Sequence, residues 1–251
     1  MPINRIALLL PWLASAIASA QVVAPNAMGV SMGHLHLNSA DPDAQRKFWV
    51  DTLGARAAKL GPVDVYAIPG VLVMVTKKPA APEGTEGSVV NHLGLKVKDF
   101  DGAVAKVKAA GLKFSSVNDS QIMVAGPEGV RVELTKDAGQ DAPVMHHHVH
   151  FATPDVTAMQ KWYADTFGAV PGKRGKFDAA DLPGVNLSWT KTDARMTGTK
   201  GRVLDHIGFE VRDLEAFTKK LETSGVKMDM PYRKIPALGI SIAFFTESEI
   251  C

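Results

Sequence analysis

Four short stretches of the chain alternate apolar and polar residues with the two-residue period of a strand whose faces meet different surroundings. Their apolar positions are Leu35 and Leu37; Leu93, Leu95 and Val97; Val149 and Phe151; and Ile207, Phe209 and Val211. The opposite faces carry His34, His36 and Asn38; His92, Gly94 and Lys96; His148 and His150; and His206, Gly208 and Glu210. Seven residues past each leading histidine stands an aspartate, Asp41, Asp99, Asp155 or Asp213, placed to accept from the free amides of a helix's first turn. Phe100, Val104 and Val107 then recur at helical spacing until Gly111 stops the helix. Short β-type runs follow at 63–68 and 70–76, and again at 120–125 and 129–134, the latter pair joined by Gly126-Pro127-Glu128-Gly129.

The pattern is a repeat. His34-Leu35-His36-Leu37, Asp41, Phe48-Trp49 and Leu53-Gly54-Ala55 return 114 residues later as His148-Val149-His150-Phe151, Asp155, Trp162-Tyr163 and Phe167-Gly168-Ala169. The same offset carries His92, Asp99 and Gly111 onto His206, Asp213 and Gly225. A weaker repeat inside each half predicts four βαβββ units. The linker at 77–87 is rich in proline, alanine and glycine, and the one at 137–144 is read as the boundary between domains at 28–137 and 145–251.

Composition narrows the field. Lys and Arg number 28 against 26 Asp and Glu, with no basic stripe interleaved with aromatics, so nucleic acid is not an expected partner. Arg5, the apolar run at 6–17 and Ala18-Ser19-Ala20 predict a signal peptide over residues 1–20, hence a periplasmic or secreted protein with no membrane attachment after cleavage. An uncleaved anchor is the alternative, but the run is shorter than the roughly 20 residues a span needs. The single cysteine, Cys251, allows no internal disulfide and is read as incidental.

With the apolar faces covered by helices, the histidines look into whatever concavity the sheet forms. Val130, Val132 and Leu134 face the helices too, which leaves Arg131 and Glu133 on the histidine side. Two imidazoles and one carboxylate suit a divalent first-row ion, Fe(II) preferred, with Mn, Zn, Ni or Co as alternatives. An isolated strand histidine is more often simply hydrogen-bonded; four at corresponding positions of a repeat favour ligands. Of the tract His146-His147-His148 with His150, alternation puts the even-numbered members on the polar face, and His148 is carried forward.

These residues resemble the vicinal oxygen chelate superfamily, which includes glyoxalase I, extradiol ring-cleaving dioxygenases and bleomycin-resistance proteins. The resemblance rests on His34, Asp41, Phe48-Trp49 and Leu53-Gly54, and on His92, the Gly126–Gly129 turn and Arg131-Val132-Glu133-Leu134. It implies an α+β fold in which the four units pair into two curved incomplete barrels with helices outside. It also implies that His34, His92 and Glu133 ligate a metal in the first domain, with His148 and His206 as candidates in the second. The last strand of unit one has no acid, which favours three ligands over four. After Ala243-Phe244-Phe245-Thr246 the family pattern expects a further strand bearing a glutamate; Glu247 is a poor match, so the second domain is expected to lack its last strand.

The expected activity is chelation of vicinal or enolic oxygens of a small substrate, with Glu133 and His36 as catalytic candidates, in a dioxygenase-like or a lyase- or isomerase-like reaction. The alternative is a ligand-sequestering protein of the bleomycin-resistance type. A homodimer is left open.

Overall fold

Each of the four aspartates does cap its helix. Asp41, Asp99, Asp155 and Asp213 accept from the amides of Ala44, Gly102, Ala158 and Ala216 at 2.9–3.0 Å. The structure, a computed structural model, describes residues 23–246. The proposed signal peptide lies outside that span, as do Glu247 and Cys251.

Unit one comprises β1 (Val30–Ser39), α1 (Pro42–Arg46) continued by a π-type turn at Lys47–Thr52, β2 (Arg56–Leu60), β3 (Val63–Ile68) and β4 (Val71–Lys77). Unit two has β5 (Val90–Val97), α2 (Phe100–Ala109), β6 (Lys113–Asn118), β7 (Gln121–Ala125) and β8 (Arg131–Lys136). Unit three has β9 (Val144–Thr153), α3 (Val156–Phe167), β10 (Val170–Arg174), β11 (Phe177–Leu182) and β12 (Val185–Lys191). Unit four shows β13 (Leu204–Val211), α4 (Leu214–Thr223), β14 (Met228–Ile235) and β15 (Ile240–Phe245).

In units one to three the leading strand pairs in parallel with the last strand of its own unit, β1 with β4, β5 with β8 and β9 with β12. The free edge of each leading strand then meets another leading strand, antiparallel: β5 meets β9, and β1 meets β13. The result is one eight-stranded sheet, β10-β11-β12-β9-β5-β8-β7-β6, and one five-stranded sheet, β13-β1-β4-β3-β2. Among the described residues β13 has no strand on its other edge, and β14 and β15 form a separate hairpin. The expected curved, incomplete barrels with helices outside are present, but each joins units from opposite halves of the sequence.

Linker length explains that exchange. β8 and β9 flank β5, and Val97 at the end of β5 pairs with both Lys136 and Val144. The seven residues 137–143 therefore need only cross one strand end, two strand spacings or roughly 10 Å, well within their reach. They are fastened there: Asp137 N donates to Val97 O at 2.9 Å, Lys98 N to Pro143 O at 3.0 Å, and Gln140 Nε2 to Lys96 O at 3.1 Å. The longer linker 78–89 instead carries the chain from one sheet to the other. The stretch expected to divide the domains thus stitches units two and three together.

The apolar faces pack as the alternation predicts. Leu35, Leu37, Leu93, Leu95 and Val149 are buried with Phe100 and Val107 of α2, Met159, Tyr163 and Phe167 of α3 and Phe217 and Leu221 of α4. Trp49 is wholly buried, its indole N–H donating to Gln45 Oε1 at 3.1 Å, so it belongs to the core. At the turn before β8, Glu128 adopts a left-handed φ of 55°. Its carboxylate holds that conformation by accepting from Ala40 N at 2.7 Å and Gln45 Nε2 at 3.2 Å, tying unit two to unit one.

Candidate metal centre

Because β5 lies beside β9, His92 stands opposite His150 and Gly94 opposite His148. Because β8 lies beside β5 on the other edge, Glu133 stands next to Gly94. His92, His148 and Glu133 therefore converge. Their atoms are close: His92 Nε2 to His148 Nε2 is 3.2 Å, His92 Nε2 to Glu133 Oε2 3.6 Å and His148 Nε2 to Glu133 Oε1 3.8 Å. An ion with ligand bonds of about 2.0–2.2 Å holds its donors roughly 3–3.6 Å apart, so this spacing fits one with little movement.

The hydrogen bonds around the cluster orient its side chains. Arg131 Nη1 donates to Asn91 Oδ1 at 3.1 Å, which fixes that atom as an acceptor, so His92 Nδ1 donates to it at 2.9 Å. The lone pair of His92 Nε2 then points at His148 and Glu133. His148 Nδ1 shares a 3.0 Å bond with His147 Nδ1. Glu133 Oε1 accepts from Gln121 Nε2 at 3.3 Å and Thr135 Oγ1 at 3.1 Å. Burial, followed by the charges of His150 and Arg131, holds His92 well below the usual histidine range; burial, followed by Arg174, does the same for His148. Both are neutral at ordinary pH, the form that binds metal.

His150 plays a different part. Its ring stacks on His92 with centroids 4.7 Å apart, and both nitrogens are engaged, Nε2 with Thr190 Oγ1 at 2.7 Å and Nδ1 with Arg174 Nη2 at 3.2 Å. It is the third member of a buried histidine group whose ligand atoms lie within 4.8 Å of one another, but both its own nitrogens are already hydrogen-bonded. Burial and then the Arg174 charge lower its pKa to about 4.

The same imidazole geometry appears between β1 and β13. His34 Nε2 lies 3.4 Å from His206 Nε2, His36 stacks on His206 at 4.7 Å, and His36 Nε2 meets Thr76 Oγ1 at 2.8 Å. His206 Nδ1 donates to Asp205 Oδ1 at 2.7 Å, where the other cluster uses Asn91. Burial first, then His206 and His36, lowers the pKa of His34 to about 3; burial first, then His206, lowers His36 to about 4. Among the described residues no last-strand carboxylate joins this cluster: the position of Glu133 in unit two is Met74 in unit one and Ser188 in unit three, and the 114-residue offset carries Glu133 itself onto Glu247, outside the described residues.

The structure groups these side chains differently from the expected ligand set. His34 is grouped not with His92 but with His36 and His206, between β1 and β13. His148 and His206, assigned to a second domain, each complete a cluster with a residue of the first half. The placement of His146 differs as well. A bulge at His147 makes Gly94 face His148 and Leu95 face His146, which reverses the alternation and turns His146 to the apolar side. There its Nδ1 donates to Gly184 O at 3.0 Å, its Nε2 is buried without a partner, and the repeat places Met32 at the equivalent position.

Two positions that matter carried a signal in the repeat. A Cβ on Gly94 would lie 2.0 Å from the His148 ring, and one on Gly208 would lie 2.1 Å from that of His34. Glycine two residues after His92 and His206 is the space each partner imidazole occupies. Asn91, immediately before His92, is a further position missed, as are Gln121, Thr135 and Arg174.

The family model described as the Glyoxalase/Bleomycin resistance protein/Dioxygenase superfamily matches residues 31–134 and 145–250. No curated protein matches the chain. Among solved structures, glyoxalase I from Zea mays is similar in fold, with 16% identity, a TM-score of 0.65 and coverage of 85% of this chain and 87% of that one. A mutant form of the same Zea mays enzyme gives 15% identity, a TM-score of 0.67 and coverage of 86% and 89%. A putative dioxygenase from Bacillus subtilis subsp. subtilis str. 168 gives 14% identity, a TM-score of 0.61 and coverage of 85% and 79%.

Proposed function

The chain belongs to the Glyoxalase/Bleomycin resistance protein/Dioxygenase superfamily, and within it we propose a metal-dependent enzyme whose single working centre is His92, His148 and Glu133. The observation that carries this is the convergence of two imidazole nitrogens and a buried carboxylate, drawn from both halves, at the spacing of a first-row ion. The nitrogen and oxygen donors suit Fe(II) first, then Mn, Zn, Co or Ni. When bound, the ion supplies a Lewis acid for negative charge developing on vicinal or enolic oxygens of a small substrate.

The chain's own residues do the rest. Asn91, anchored by Arg131, keeps His92 in the ligating tautomer, and Gln121 and Thr135 orient Glu133. His92, His148 and Glu133 are at most 7% exposed, which keeps bulk water from competing for the donors. A cleft of about 700 Å³, the size of a small-molecule site, is lined by His147, Arg174 and Asn186; the three proposed ligands do not line it, and Arg174 connects the two through its bond to His150. The reaction is dioxygenase-like or lyase- or isomerase-like, and the leader-like segment supports a location outside the cytosol.

The test is oxygen uptake and isomerisation across catechols, 2-oxoaldehydes and enolic acids, with elemental analysis of the same preparations. Turnover by the wild type that Glu133→Ala abolishes, together with its metal, supports the proposal. Tight binding of a panel member without turnover points to the sequestering role of the bleomycin-resistance type instead.

A further inference from the structure

Beside the proposed metal centre the eight-stranded sheet carries a directed chain of hydrogen bonds. Asn186 Nδ2 donates to Asp181 Oδ1 at 2.7 Å, Ser188 Oγ donates to Asn186 Oδ1 at 2.6 Å, and Arg174 Nε donates to Ser188 Oγ at 2.8 Å. Arg174 Nη2 also reaches His150 Nδ1 at 3.2 Å, and its guanidinium lies 5.6 Å from the Phe177 ring centroid. The guanidinium is thereby held in one place, half-buried, with no carboxylate at ion-pair distance among the described residues. A guanidinium has five N–H donors, so about three are left for the cleft that Arg174 lines.

The repeat shows that this is a set. At the equivalent positions around the β1/β13 cluster, Asp181, Asn186, Ser188 and Arg174 become Ala67, Leu72, Met74 and Leu60. All four links are apolar there, although the three imidazoles keep their arrangement. A device that serves only to pack histidines would be needed at both clusters.

We propose that Arg174 determines specificity at the His92/His148/Glu133 centre by binding the carboxylate of a small substrate whose neighbouring oxygens lie at those three residues. The proposal rests on the metal reading above and adds the substrate class. A carboxylate meeting a fixed, half-buried guanidinium gains a charge-assisted, two-pronged hydrogen bond.

The test loads the whole chain with cobalt(II) and follows its visible spectrum during titration with oxalate and, separately, acetohydroxamate. Oxalate offers two oxygens to the ion and two more to a guanidinium; acetohydroxamate chelates but presents a methyl group there. Arg174→Leu, the residue the repeat itself uses, is expected to weaken oxalate on the order of 10- to 100-fold and to lower Tm through its lost bonds to Ser188 and His150, leaving acetohydroxamate affinity and cobalt content within about twofold. Arg174→Lys is expected to restore only part of the loss. Unchanged oxalate affinity in Arg174→Leu, or equal loss for both probes, overturns the proposal. If the chain takes up no cobalt, the metal reading fails separately. The metal-free chain then decides: an oxalate-induced rise in Tm present in the wild type and absent in Arg174→Leu keeps the anion site, and equal responses overturn it.

Discussion

The β5/β9 and β1/β13 clusters hold their imidazoles alike and differ in nearly everything else. Ring centroids are 5.3 Å apart for His92 and His148 and 5.4 Å for His206 and His34, and the stacked pairs are 4.7 Å apart in both. One cluster adds Glu133 and the Arg174 relay and is buried; the other, among the described residues, has Met74 and Leu60 at the places of Ser188 and Arg174 and is half-exposed. The comparison teaches that the strand pairing builds the histidine frame for both, while single positions on neighbouring strands decide which frame becomes a charged centre.

The largest effect that would break this comparison comes from filling the glycine space. Gly94→Val should displace His148 and lower metal affinity roughly 100-fold or more, with an overpacking cost of about 1–3 kcal/mol. Gly208→Val should cost similar stability but leave metal affinity within about twofold. Calorimetric metal titration with urea denaturation checks both, and equal metal loss in the two variants would erase the distinction. A smaller effect is expected outside the ligands: Asn91→Ala should weaken metal about 10- to 100-fold, and Asn91→Asp, which copies Asp205, should retain it. Met74→Glu sharpens the comparison from the other side by giving the β1/β13 cluster an acid. A second cobalt ion per chain is the expected reading, and no second ion would mean that a carboxylate on the strand beside β1 is not what separates the sites.

The smallest effect concerns pH. Burial is the main cause that holds His146 down to about 4 in the folded chain, against 6.5 when unfolded. Below pH 6.5 the unfolded chain binds the extra proton, so this contribution to stability is complete above that pH. It falls as pH drops toward 4, by at most about 1.4 kcal/mol per pH unit. His146→Met, copying Met32, removes that component, and its urea midpoint should fall less than the wild type's between about pH 7 and about pH 5. Parallel declines would contradict the assignment.

Much of this architecture was legible because it is local. Alternation sorted the leading-strand faces, the aspartates at a constant spacing marked every helix start, and Glu133 fell on the histidine side because Val132 and Leu134 are core residues. What was not legible is long-range. No residue of β1 announces that its antiparallel neighbour is β13 and not β5; that follows from a seven-residue linker that can cross one strand end and a longer one that leaves the sheet. The bulge at His147 reversed the face of His146, because a period-2 argument assumes an uninterrupted ladder. Arg174 ends the run Val170-Pro171-Gly172-Lys173-Arg174, which has no apolar alternation to mark it as a strand, so its place beside the centre became visible only when the sheet was assembled.

The central claim is that the working centre is shared between the two sequence halves. Metal content per chain, measured in the wild type, His148→Ala and His34→Ala purified in parallel, tests it most directly. The account predicts one divalent ion in the wild type, retained in His34→Ala and lost in His148→Ala. An ion lost in His34→Ala and kept in His148→Ala would contradict it and return the centre to the first half alone.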